Sequence, residues 1–112
     1  MDSSAAVIHL AALAQESRLQ IFRLLVRQGP EGLCVSDIGE KLHIAPATLS
    51  FHLKELCQAG LITANRQSRH IYYAPDFAVM NMLVEYLTEH CCEGRGCDVP
   101  KVKAVKKRVS KS

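Results

Sequence analysis

Cys91, Cys92 and Cys97 place three thiols within seven residues near the C-terminal end of this 112-residue chain, in the run Glu89-His90-Cys91-Cys92-Glu93-Gly94-Arg95-Gly96-Cys97. On a regular helix Cys91 and Cys92 would point about 100° apart and could not comfortably share one small ion. Gly94 and Gly96 follow at once, so the helix is expected to end here and the chain to fold back, letting Cys97 approach the adjacent pair. Three sulfurs with no obligatory fourth ligand suit a soft thiophilic centre. Trivalent arsenic, which takes three sulfurs in a pyramid and keeps a lone pair, fits that set. Trivalent antimony, cadmium and lead would also accept it, whereas zinc would draw a fourth ligand from His90, Glu93 or Asp98. Such a ligand itself drives off the thiol protons. The competing readings are unliganded surface thiols and a redox switch. A helix C-terminus disfavours the thiolate that a redox switch needs, although Arg95 pushes the other way.

A second stretch, Ala45 to Gly60, carries binding rather than ligand chemistry. Pro46 suits the first turn of a helix, where its missing N–H costs nothing, and Gly60 suits the position just past the end. Leu49, Leu53 and Leu56 recur at helical spacing and define a buried stripe. Ala47, Ser50, Phe51 and Lys54 fall on the opposite side, with Thr48 and His52 on the flanks. That outer face is small, hydrogen-bonding and nearly free of negative charge. It can serve as an ordinary solvated face, or enter a DNA major groove and reach phosphates and base edges.

The elements that must position these residues are mostly helical. Residues from about Ser4 to Gln15 read as a first helix with close-packing, Ala-rich faces. Ser17 is expected to cap a second, Arg18 to Gln28, burying Leu19, Phe22, Leu25 and Val26. Gly29-Pro30-Glu31-Gly32 turns the chain. Ser36 is expected to cap a short third helix, Asp37 to Leu42, and His43-Ile44-Ala45 leads into the Pro46 helix. Two short helices joined by a tight turn are the helix-turn-helix arrangement. The β-prone runs 61–64 and 70–74 then predict a two-stranded hairpin with Arg66, Gln67, Ser68 and Arg69 at its tip. After a helix-turn-helix, that positive loop reads as a wing, with Arg66 and Arg69 against the DNA backbone. Pro75-Asp76 opens a last helix, about Phe77 to His90, whose apolar residues cover enough of its girth to suggest two buried contacts, one with a partner.

Composition sets bounds. One small domain is implied, near the lower size limit for a single core, and dimerisation would help bury a chain that is 48% hydrophobic. No apolar run approaches membrane-spanning length, and Met1-Asp2-Ser3-Ser4 lacks the basic start of a signal peptide, so a cytoplasmic location is expected. Residues 1–98 hold eight Lys and Arg against eleven Asp and Glu, so the net charge of +3 comes from the tail. DNA affinity must then rest on local basic clusters. Five cysteines at this spacing do not form a secreted disulfide framework. No Cys-x-x-Cys pair, nucleotide loop or catalytic set accompanies them, which argues against an enzyme such as a small thiol reductase. The expected organisation is a DNA-binding and dimerisation domain over 1–92, a cysteine loop over 93–99 and a basic, disordered tail over 100–112.

Cys34-Val35-Ser36-Asp37-Ile38, Thr48-Leu49-Ser50-Phe51-His52-Leu53-Lys54-Glu55-Leu56 and Ala59-Gly60-Leu61-Ile62 together closely resemble the winged-helix repressors of the ArsR/SmtB family. The resemblance runs from about Leu13 to about Leu87. It implies a mainly α fold of about five helices with a two-stranded wing, and a homodimer built from the first and last helices. It also implies binding to double-stranded operator DNA through Ala47, Thr48, Ser50, Phe51, His52, Lys54, Arg66 and Arg69. Many arsenic-responsive members carry Cys-Val-Cys-Asp-Leu-Cys in the third helix. Here those positions read Cys34-Val35-Ser36-Asp37-Ile38-Gly39, so that site cannot form. Other members hold paired cysteines plus a third near the end of the last helix, which Cys91, Cys92 and Cys97 match. The family's zinc sites use Asp and His along the last helix, and no His occurs between Asp76 and Glu89. Trivalent arsenic, as arsenite or as methylarsenite, is therefore the expected inducer, with antimony accepted and zinc second. No cofactor is required.

Overall fold

The computed structural model describes residues 1–90, and arranges them as five helices and a three-stranded antiparallel sheet. Helix α1 (Ser3–Leu13) starts where Asp2 accepts a hydrogen bond from the Ala5 N–H at 2.9 Å. It ends two residues before the expected Gln15, because Gln15 has left the helix to cap the next one. The extended Gln15 accepts from the Arg18 N–H at 2.9 Å, so Gln15 rather than Ser17 opens α2 (Glu16–Gln28). The buried stripe of α2 is Ile21, Phe22 and Leu25, rotated by roughly 60° from the one expected. Leu19 is left 43% exposed, and Arg18 turns inward in compensation.

Strand β1 (Leu33–Cys34) leads directly into α3 (Val35–Leu42), which begins one residue before the expected cap, Ser36, and has no side-chain cap bond. His43, at φ 58° and ψ 48°, closes α3 in the left-handed region that suits a tight exit. Helix α4 (Pro46–Gln58) follows with Pro46 in its first turn, and Gly60 sits beyond its end at φ 79°, both as the sequence predicts. Leu49, Leu53 and Leu56 of α4 join Ile21, Leu25, Ile38, Leu33, Leu61 and Ile62 in the core.

The wing is longer and better paired than expected. Strands β2 (Ile62–Gln67) and β3 (His70–Pro75) run antiparallel from Ile62 opposite Pro75 to Gln67 opposite His70. Backbone ladder bonds need no apolar side chains, so pairing continues through the polar Asn65, Arg66 and Gln67. The turn shrinks to Ser68-Arg69. A third strand, absent from the expected two, is β1, which pairs Leu33 with Tyr73 and Cys34 with Tyr72. Gly32 makes that approach possible. It sits at φ 77°, and a Cβ there would lie 2.6 Å from the Tyr73 carbonyl oxygen.

Helix α5 (Phe77–Thr88) starts at Asp76, whose carboxylate accepts from the Val79 N–H at 3.1 Å. It ends before the expected His90. Leu83 is buried, and Val79 and Met80 pack against the core. Met82, Val84 and Leu87 face outward, as do Val7, Ile8 and Leu10 of α1, with which α5 is in contact.

Candidate nucleic-acid interface

Helix α4 separates its two faces cleanly. With the leucines committed to the core, Ala47, Thr48, Ser50, Phe51 and Lys54 are all exposed. Phe51 is 55% exposed, an unusual position for a large apolar ring on a polar face. Such a face offers two hydroxyls, an ammonium and an aromatic surface suited to thymine methyls in a major groove.

His52 departs from its expected place among the DNA contacts. It lies on the inner flank of α4 and is only 7% exposed. Its Nδ1 is 3.4 Å from Nη1 of Arg18. About 60° from the middle of the leucine stripe, His52 stands at the border between the buried and exposed faces. The inward rotation of Arg18 decides for burial. Burial lowers the imidazole pKa below its ordinary value, the adjacent Arg18 charge lowers it further, and Glu55 partly opposes both.

The wing projects Arg66 and Arg69 into solvent, Arg66 from the strand and Arg69 from the turn, where Ser68 adopts φ 61°. An open groove of about 530 Å³ lies between the wing and the helix-turn-helix, lined by Cys34, Val35, Ser36, Pro46, Arg69, His70 and Ile71. Ser36 and His70 thus join Arg69 on one rim. Nothing in their local spacing connects Ser36 to His70; the pairing of β1 with β3 brings them together.

Cys34 Sγ lies 3.4 Å from Ser36 Oγ and 3.4 Å from Asp37 Oδ2, a local hydrogen-bonded group at the start of α3. Cys57 packs partly buried against the core, as expected of a small apolar side chain, and burial pushes its thiol pKa up. His9, expected at the surface, is half-buried against the end of α4 near Gly60. No group of three or more His, Cys, Asp or Glu gathers into a metal site among the described residues. Cys91, Cys92 and Cys97, the loop 93–99 and the tail lie outside them.

A helix-turn-helix domain model matches residues 13–64, from the end of α1 into β2. The chain is 36% identical to the arsenical resistance operon repressor of Bacillus subtilis, over 72% of this chain and 73% of that protein. It belongs to the ArsR/SmtB family. Two solved structures share the fold. HlyU from Vibrio cholerae has a TM-score of 0.63 at 30% identity, covering 81% of this chain and 96% of that one. The homodimeric winged helix-turn-helix domain of a possible ArsR-family regulator from Mycobacterium bovis has a TM-score of 0.61 at 29% identity, covering 84% and 87%. As an ArsR/SmtB-family member the chain is a DNA-binding transcriptional regulator, not an enzyme. No helix among the described residues is long and apolar enough to cross a membrane.

Proposed function

We propose that this ArsR/SmtB-family chain is a homodimeric repressor that releases its operator when trivalent arsenic binds Cys91, Cys92 and Cys97. The observation carrying the DNA-binding half is the exposed face of α4, free of acid apart from the partly exposed Glu55, beside a wing whose exposed charges are Arg66 and Arg69. Thr48, Ser50, Phe51 and Lys54, with Ala47 allowing close approach, read the groove, and Arg66 and Arg69 hold the flanking backbone. Outward apolar side chains on α1 and α5 support pairing of two copies, which would set the reading helices about 34 Å apart.

The inducer half is supported by the three-thiol spacing and by the likeness to an arsenical resistance repressor. Closing a loop from Cys91 to Cys97 acts directly beyond the end of α5, a helix of the proposed interface. A coupling of about 1–3 kcal/mol gives a roughly 5- to 150-fold loss of operator affinity. The test is fluorescence anisotropy of a labelled upstream fragment, titrated separately with arsenite, antimonite, zinc and peroxide. Release by arsenite supports the reading. Release by zinc or peroxide alone keeps the repressor and replaces the inducer.

A further inference from the structure

His52 is the sole polar side chain in the buried set of the described residues, on a helix face otherwise filled by leucines. Leucine would serve packing alone at such a position, so the imidazole invites a reason. Its one side-chain partner at hydrogen-bond distance among the described residues is Arg18, and Arg18 joins three helices. The Arg18 backbone N–H donates to Gln15 at the start of α2, and its Nε donates to the Ala12 carbonyl of α1 at 2.7 Å. Its Nη1 lies 3.4 Å from His52 Nδ1 on α4. Ala12 is in the last turn of α1, where carbonyls lack helical partners and the dipole favours a cation. The rigid guanidinium fork therefore fixes the end of α1 and the middle of α4 with one side chain.

We propose that the Arg18–His52 contact positions the reading helix α4 relative to α1, making both side chains positioning residues for operator recognition rather than DNA contacts. This rests on the DNA-binding reading above. The helix at one end of the contact exposes Val7, Ile8 and Leu10, part of the proposed dimer surface, while the other end lies next to Phe51 and two residues from Lys54. A shift of α1 at the subunit interface is passed to the DNA face through this pair.

The chemistry of the contact makes it selective for one ring state. A guanidinium only donates, so His52 Nδ1 must accept and the ring proton must sit on Nε2. Protonation of Nδ1 would set two donors against each other. The charged groups acting on the ring are Arg18 from α2 and Glu55 from α4, and α1 offers the Ala12 carbonyl already bound to Arg18. With its pKa held below the ordinary value, the ring is neutral near pH 7 and the contact is intact. It is lost as the pH falls below the ordinary histidine range and through the lowered pKa.

The test measures operator affinity of the full chain and of His52→Asn, His52→Leu and Arg18→Met across pH and salt, with thermal melts to check folding. The Asn oxygen occupies the Nδ1 position and does not titrate. His52→Asn should bind within about twofold of wild type near neutral pH and lose the His52 share of the affinity drop that appears as the pH falls below the ordinary histidine range. His52→Leu and Arg18→Met should bind roughly tenfold more weakly with an unchanged salt slope. Folded Arg18→Met with wild-type affinity overturns the assignment. So does a salt slope shallower by about 1, which would make Arg18 a phosphate contact. Should the variants unfold, ¹⁵N NMR of wild-type His52 decides: a proton on Nδ1 at neutral pH overturns the contact. A wild-type chain with no operator affinity overturns the DNA-binding reading itself, an outcome distinct from these.

Discussion

At the residue scale the proposed inducer chemistry rests on Cys91, Cys92 and Cys97. Cys91→Ser or Cys97→Ser is expected to leave operator binding intact and abolish release by arsenite, because two sulfurs cannot complete the pyramid. Cys34→Ser should respond as wild type, since Cys34 is engaged with Ser36 and Asp37. Anisotropy with and without arsenite checks all three, and release of Cys97→Ser would remove the third ligand. Gly32 illustrates a structural constraint of the same size. Gly32→Ala forces a Cβ onto a backbone carbonyl at positive φ, and a stability loss of about 1–3 kcal/mol is expected from urea unfolding.

Among the elements, α4 and the wing share recognition in the proposed complex. In the proposed DNA complex Lys54 and Arg69 meet phosphates, so Lys54→Ala and Arg69→Ala should each weaken binding to all sequences and reduce the salt slope by about 1. Phe51→Ala should instead leave the slope unchanged and relax preference at one base pair, because an apolar ring contacts bases and neutralises nothing. Equal losses on operator and scrambled DNA for Phe51→Ala would deny it a reading role. On the other side of α4, Leu53 is locked into the core, and Leu53→Ala should cost about 2–5 kcal/mol by leaving a cavity.

For the whole molecule the exposed side chains of α1 and α5 form the proposed assembly surface. Ile8 and Val84 are each more than half exposed, and the two helices that carry them touch. In the proposed homodimer Ile8→Glu or Val84→Glu buries an unpaired carboxylate at the interface. Sedimentation should then show monomers, with operator affinity falling because two half-sites are no longer held by one particle. A dimer unaffected by both substitutions would place the interface elsewhere. Burial holds Cys57 protonated at neutral pH, so alkylation there should be slow in the intact protein and speed up on unfolding.

Much of this protein was determined by local sequence. Pro46 and Gly60 bracket the reading helix because each fits only one end of a helix, and the leucine period sets which side of it is buried. The outward set of Ala47, Thr48, Ser50, Phe51 and Lys54 follows from the same period, while the hairpin is legible in the β-prone runs 61–64 and 70–74. Tertiary structure decided what local patterns leave balanced. His52 sits at a flank that either side could claim, and its burial depends on a 60° rotation of α2 that brings Arg18 inward in place of Leu19. Strand β1 has two residues and no alternation to read; it exists because Gly32 lets it approach Tyr73 across a long sequence separation. That pairing also brings Ser36 beside Arg69 and His70, which no spacing along the chain announces, since contacts between distant segments depend on packing rather than on period.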